Sequence, residues 1–282
     1  MQASGDARPV VVGYDGSTAS GRALRWGIDE ARMRFVSLIV CHAWHLPYPM
    51  PPVSLEAMET VKRMGQHVLD RGVSLARGLA PRLEVREELM TGSPTAALMS
   101  ESSLAELVAV GQRGVGGFEE LQIGSTAIQL ASHAHCPVAV VKEPTSPRTD
   151  RVVVGVDGAN PERAELGVAF EEARLRRASL LAVCLCPAGT DDTRRLAAHF
   201  HATVGAWEEK YPMVAVETAV ETRPHATVLY QAADRADLVV IGDRGQDDPV
   251  ELPLGLICQA LLRGAPCTVI VVPSRAFSTS SR

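Results

Sequence analysis

No apolar run in this 282-residue chain approaches the roughly 18 consecutive residues that a membrane-spanning helix needs. Lysine is scarce, occurring only at positions 62, 142 and 210 in an otherwise arginine-based set of cations, which reflects genome composition rather than function. The net charge is −5, shared about evenly between the two halves, so no basic face follows a nucleic-acid backbone and that partner class is disfavoured. The N-terminus, MQASGDARPVVV, lacks a basic segment followed by an apolar one, and is read as no secretory signal. The six cysteines, Cys41, Cys136, Cys184, Cys186, Cys258 and Cys267, mostly lie inside apolar strand-like runs. That placement fits buried thiols in a reducing cytoplasm better than a disulfide framework. Two catalytic signatures are also missing. There is no G-x-x-x-x-G-K-[ST] of a Walker-type NTPase and no G-x-S-x-G nucleophile elbow.

What the chain does contain, it contains twice. PVVVGYDGS (Pro9 to Ser17) matches RVVVGVDGA (Arg151 to Ala159) at an offset of 142, and AELVAVGQRG (Ala105 to Gly114) matches ADLVVIGDRG (Ala236 to Gly245) at an offset of 131. A period that long is a duplicated domain, not a solenoid. Domains are expected over residues 1–143 and 151–275, joined by the polar, proline-bearing EPTSPRTD as an extended connector.

Within the first copy, continuous apolar runs alternate with helix-like stretches. The runs are Val10 to Gly13, Leu38 to Ala43, Leu107 to Gly111 and Val138 to Lys142, with a one-sided strand at Leu83 to Leu89. Helices are expected over Thr18 to Arg34, Leu55 to Leu79, from Ser93-Pro94 to about Ser102, and onward from Gly124. Alternation of this kind predicts an α/β fold: two tandem doubly wound, Rossmann-like domains, each with a five-stranded parallel sheet.

Such sheets bind ligands beyond the carboxyl ends of the strands, where the strand order reverses. For the order 3-2-1-4-5 that point lies between the first and fourth strands, so Gly13 and Asp15 would meet Gly111. The loop GQRGVGGFEELQIGST supplies Gly111, Gly114, Gly116 and Gly117, which let backbone N–H groups approach an anion, and then Gly124-Ser125-Thr126 at a helix start. Asp15 accepts from ribose hydroxyls or holds a divalent cation. Together these describe a nucleotide with its phosphates on the glycine loop. A nicotinamide Rossmann reading is weak, because the close glycines follow the fourth strand.

The spacing Gly111-x2-Gly114-x9-Gly124-Ser125 resembles the G-2x-G-9x-G-[ST] motif of ATP-binding universal stress proteins, and VVGYDGS and HAHCPVAVVKEP resemble that family's first and fifth strand segments. The resemblance spans essentially the whole chain, in tandem. It implies ATP as ligand, with Mg2+ near Asp15 as an accompanying ion; Asp15 at the ribose and the metal or phosphates; main-chain atoms of Ala43 at adenine; and Gly111, Gly114, Gly124, Ser125 and Thr126 at the phosphates. Arg113 is a further candidate charge. Glu119 and Glu120 read as a solvated turn or as support for a cation. The resemblance further implies that apolar edge strands mediate dimerisation, so the two copies are expected to form an intrachain pseudo-dimer, with homodimers of whole chains a further expectation. The function implied is a cytoplasmic, nucleotide-dependent stress or signalling regulator acting through an unknown protein partner. A slow ATPase or nucleotidyl-transfer enzyme, and a scaffold that binds no nucleotide, remain alternatives.

The second copy departs from the motif. Asp157, Gly242, Gly245 and Gly255 remain, but Leu256 and Ile257 replace the two hydroxyls and Asp247-Asp248 replaces Gly116-Gly117. Two lost hydrogen bonds to phosphate weaken binding by a few kcal/mol, about a hundredfold, so a degenerate site is expected there. Other features have plainer readings. Cys184-x-Cys186, His133-Ala-His135-Cys136 and His199-Phe-His201 are better explained by packing than by metal ligation. Ser17 reads as a helix N-cap rather than a nucleophile.

Overall fold

A computed structural model of the chain describes residues 7–46, 54–115, 122–145, 147–160, 164–186, 191–222, 225–245 and 254–274. The chain divides into two compact units, Met1–Val141 and Lys142–Arg282.

The first unit runs β1 (Val10–Gly13), α1 (Thr18–Arg34), β2 (Leu38–Trp44), α2 (Leu55–Leu79), β3 (Val85–Thr91), α3 (Pro94–Ser102), β4 (Leu107–Gly111), α4 (Ser125–His133) and β5 (Val138–Val141). Its strands lie in the order β3-β2-β1-β4-β5. Every pairing is parallel, with Val12 registered against Val40 on one side and Ala109 on the other. The order is the expected one, and the reversal point falls between β1 and β4.

Burial explains the strand sequences. Val10, Val11 and Val12 are fully buried, as are Val108, Ala109 and Val138 to Val140, because helices cover both faces of a parallel sheet. Three helices start on a serine whose hydroxyl accepts a first-turn N–H: Ser17 from Ser20, Ser54 from Ala57, and Ser93 from Ala96 ahead of Pro94. α1 ends on Phe35 in the left-handed region (φ 58°), with its ring exposed. β3 begins two residues later than the apolar pattern suggests. Leu83 N–H closes a turn onto the Ala80 carbonyl, which holds Leu83 and Glu84 out of the strand.

The second unit repeats the pattern with β6 (Arg151–Asp157), α5 (Ala164–Arg176), β7 (Ser179–Leu185), α6 (Asp191–Lys210), β8 (Val216–Glu221), α7 (His225–Ala233), β9 (Leu238–Gly242), α8 (Leu256–Gly264) and β10 (Thr268–Val272). The order is β10-β9-β6-β7-β8, again all parallel. The copies share an internal ion pair. Glu30 and Arg34 on α1, and Glu172 and Arg176 on α5, are linked one turn apart with the carboxylate wholly buried.

The connector is less free at its end than its composition suggests. Asp237 accepts from Thr149 N–H and hydroxyl at 2.8 and 3.1 Å and from Asp150 N–H at 2.8 Å, while Arg148 pairs with Asp150 at 2.7 Å. All six cysteines are buried and unpaired by disulfide. No described helix is long and apolar enough to cross a membrane.

Candidate functional site

Asp15 follows β1 by two residues, and its carboxylate is the hub of the reversal point. Oδ1 accepts Ser17 N–H at 3.0 Å, which closes the turn into α1. Oδ2 accepts the N–H of Val115 at 2.8 Å, in the loop after β4. The Asp15 N–H in turn donates to Ser20 Oγ at 3.3 Å. Burial pushes this carboxyl's pKa up, but hydrogen bonds from the Ser17 hydroxyl and backbone, the Ser20 hydroxyl and the Val115 backbone outweigh it, so the group stays below the ordinary carboxylate value.

Close approach explains the glycines that line the crevice. A Cβ on Gly114 would lie 2.5 Å from Asp15 Oδ2, and a Cβ on Gly111 would lie 2.7 Å from the backbone of Ala19 in α1. Gly13 faces the opposite side, against Leu98 of α3 at 2.8 Å. Gly16, between Asp15 and Ser17, takes φ +82°, a conformation that side chains rarely adopt. Gly124 N–H donates to the Gln112 carbonyl at 2.9 Å, so the two ends of the glycine loop are tied together.

Gly124 is also the N-cap of α4, and no side chain caps that end. The helix therefore presents first-turn N–H groups and its positive end alongside an exposed Ser125 and a half-buried Thr126, whose hydroxyl lies 3.4 Å from that of Thr95. Arg113 is half-buried beside them. Ala43 is half-buried near the end of β2, between Cys41, whose carbonyl accepts Tyr14 N–H, and Trp44, whose carbonyl accepts Gly92 N–H. Gly116, Gly117, Glu119 and Glu120 lie outside the described residues, as do Asp247 and Asp248.

Several flanking residues carry no motif. His42 Nδ1 lies 2.8 Å from the Tyr14 carbonyl. The indole N–H of Trp44 is buried without a hydrogen-bond partner among the described residues. Two glycines seven positions apart on α2 admit these rings: Gly65 meets Trp44 and His42, and Gly72 meets the ring of Tyr14. Arg71, their neighbour, has Nη2 2.9 Å from where a Gly16 Cβ would be. A seven-residue glycine spacing on an amphipathic helix was the available signal for this close packing.

The corresponding crevice of the second unit has different contents. Asp157 Oδ1 accepts Ala159 N–H at 3.0 Å, as Asp15 accepts from Ser17. Gly242, however, faces a buried carboxylate: a Cβ there would lie 3.4 Å from Oε1 of Glu165, where Gly111 meets Ala19. The next residue, Asp243, is also buried and accepts from the Ser274 hydroxyl at 2.9 Å. Gly255 caps α8 without side-chain help, and the residue at the Ser125 position, Leu256, is 59% exposed. Gly245 is half-buried, and Gly158 packs against the Cys184 and Cys186 sulfurs, which lie 3.2 Å apart.

The model of the universal stress protein family matches residues 7–142 and again 148–273. The chain belongs to that family. Curated relatives match it end to end: universal stress protein Rv2623 of Mycobacterium tuberculosis is 29% identical across 96% of this chain and 98% of its own length. Universal stress protein Rv2005c of the same organism is 31% identical across 93% and 96%. Among solved structures, a universal stress protein from Archaeoglobus fulgidus superposes with a TM-score of 0.75 over 95% of this chain and 96% of its own, at 17% identity, a likeness of fold.

Proposed function

We propose that this tandem universal stress protein is an ATP-binding regulator whose nucleotide occupies the first domain. The observation that carries the reading is the meeting of Asp15 with the Gly114–Val115 backbone at the sheet's reversal point, beside the uncapped start of α4. Backbone donors, an unspent helix N-terminus and two hydroxyls suit phosphate, while a single ionised carboxylate suits ribose hydroxyls. Asp15 and phosphate oxygens together are a donor set that Mg2+ accepts, since Mg2+ is commonly held by one or two carboxylates and substrate phosphates. Asp15 would supply that carboxylate.

Hydrolysis is slow at most in this reading. The chain carries no Walker-type lysine motif, and the Asp15 carboxylate, held below the ordinary carboxylate value, is a weak base towards water. Bound nucleotide instead orders the glycine loop and changes what the domain presents to a protein partner in the cytoplasm.

The second domain contributes no comparable site. Glu165 and Asp243 place buried carboxyl groups beside Gly242, and Leu256 replaces a hydroxyl. Calorimetric titration of the full chain with ATP tests the reading: one site per chain is expected, abolished in Asp15→Ala. Absence of binding, or two equivalent sites, overturns it.

A further inference from the structure

The glycine motif lies on β4 and α4, yet the turn that carries Asp15 is overhung from the other direction. Val68 and Arg71 of α2 lie over Gly16, with Val68 Cγ1 3.7 Å and Arg71 Nη2 2.9 Å from the position of a Gly16 Cβ, and Gly72 lies on the Tyr14 ring. α2 is thus packed on the turn that joins β1 to α1, with Arg71 at its outer edge. Arg71 is exposed and makes no hydrogen bond or ion pair among the described residues. The nearby Asp15 carboxylate is directed to Ser17 and Val115. Its helix neighbour Asp70 accepts from Gln66 at 2.8 Å.

Among the described residues, Arg71 thus differs from the other two arginines of α2. Arg63 bonds Thr60 and Arg77 bonds the Val85 carbonyl. A Cβ at Gly16 would meet the guanidinium, and the residue's φ of +82° disfavours any side chain there in its own right. The second copy lacks the device. At the offset of 131 that relates β3 to β8, the buried pair Leu69 and Val73 corresponds to Phe200 and Val204, and Arg71 corresponds to Ala202. The arginine accompanies the copy that keeps the hydroxyls and glycines.

We propose that Arg71 is an anion-contacting, specificity-determining residue that closes the nucleotide crevice from the α2 side. Its planar fork takes phosphate oxygens bidentately and so favours phosphorylated adenosine over the bare nucleoside. The inference rests on the nucleotide-binding reading above and adds to it a second source of phosphate selectivity, outside the glycine motif.

The test is calorimetric titration of the full chain with ATP, AMP and adenosine, for wild type, Arg71→Ala, Arg71→Lys and the control Arg63→Ala, which removes the same charge from the same helix. Arg71→Ala is expected to lose about tenfold in ATP affinity while adenosine affinity and Tm stay unchanged. Arg71→Lys recovers part of the loss, and Arg63→Ala behaves as wild type. An equal loss for ATP and adenosine, or an Arg71→Ala titration indistinguishable from Arg63→Ala, overturns the role of Arg71 and leaves ATP binding standing. Failure of the wild type to bind any of the three ligands overturns both.

Discussion

Val115 N–H and Asp15 Oδ2 lie 2.8 Å apart although a hundred residues of chain separate them. The bond joins the turn after β1 to the loop after β4, the only two strand ends in this unit that flank the reversal point. It also places a carboxylate oxygen on the first backbone N–H beyond Gly114.

The Asp15 bond has a pH signature. The folded-state pKa of Asp15 lies below its unfolded value of about 4, because hydrogen bonds outweigh burial. Its contribution to stability is therefore present above that value and is lost as pH falls through the lower, folded one. Urea unfolding of nucleotide-free protein is expected to show Asp15→Asn less stable than wild type at pH 7, with the gap narrowing towards pH 3. A gap that stays constant with pH would contradict it.

Gly111→Ala and Gly114→Ala separate scaffold from site. The Gly111 methyl meets main-chain atoms of Ala19 at 2.7 Å, which cannot yield without moving α1, so a loss of about 1–3 kcal/mol in unfolding free energy is expected. The Gly114 methyl meets only the Asp15 carboxylate, a side chain that can turn away. That variant gives up the Asp15–Val115 bond but moves no main chain, so it is expected to lose less stability than Gly111→Ala and to lose ATP binding in the same titration.

Restoring one hydroxyl does not restore the second site. Leu256→Ser leaves Glu165 and Asp243 buried beside Gly242, so ATP stoichiometry is expected to remain one per chain. A second site arising from that single change would show that the carboxylates are irrelevant to exclusion.

The repeated buried ion pairs offer a stability test. Arg34 touches Glu30 at 2.8 Å and Glu106 at 3.6 Å, and Glu30 is wholly buried. Removing one partner of a buried pair typically costs about 3–5 kcal/mol, so Arg34→Ala is expected to lose about 3 kcal/mol or more by chemical denaturation. The double change Glu30→Leu with Arg34→Leu is expected to cost less than the single one, and the reverse ranking would reject the argument.

Strand order, helix spans and the pairing of Asp15 with the glycine loop were legible because each depends on local periodicity plus one topological rule. Val10 to Gly13 and Leu107 to Gly111 read as doubly covered strands, and Ser17 and the Ser93-Pro94 pair mark two helix starts. Arg71 and Glu165 were not legible. Both lie on amphipathic helices where periodicity gives the buried face but not which strand end that face overhangs. Glu165 follows the alternation of its helix only if a carboxylate is allowed inside, which pattern reasoning disfavours. The start of β3 was misplaced because the turn at Ala80 to Leu83 consumes an apolar residue that alternation assigns to the strand.

The clasp of Asp237 on Thr149 and Asp150 fixes where the second half of the chain can be cut. A fragment begun at Arg151 would keep every strand of that half yet deprive one carboxylate of three donors at the root of its central strand. Begun before Arg148, the same fragment carries its own fastening.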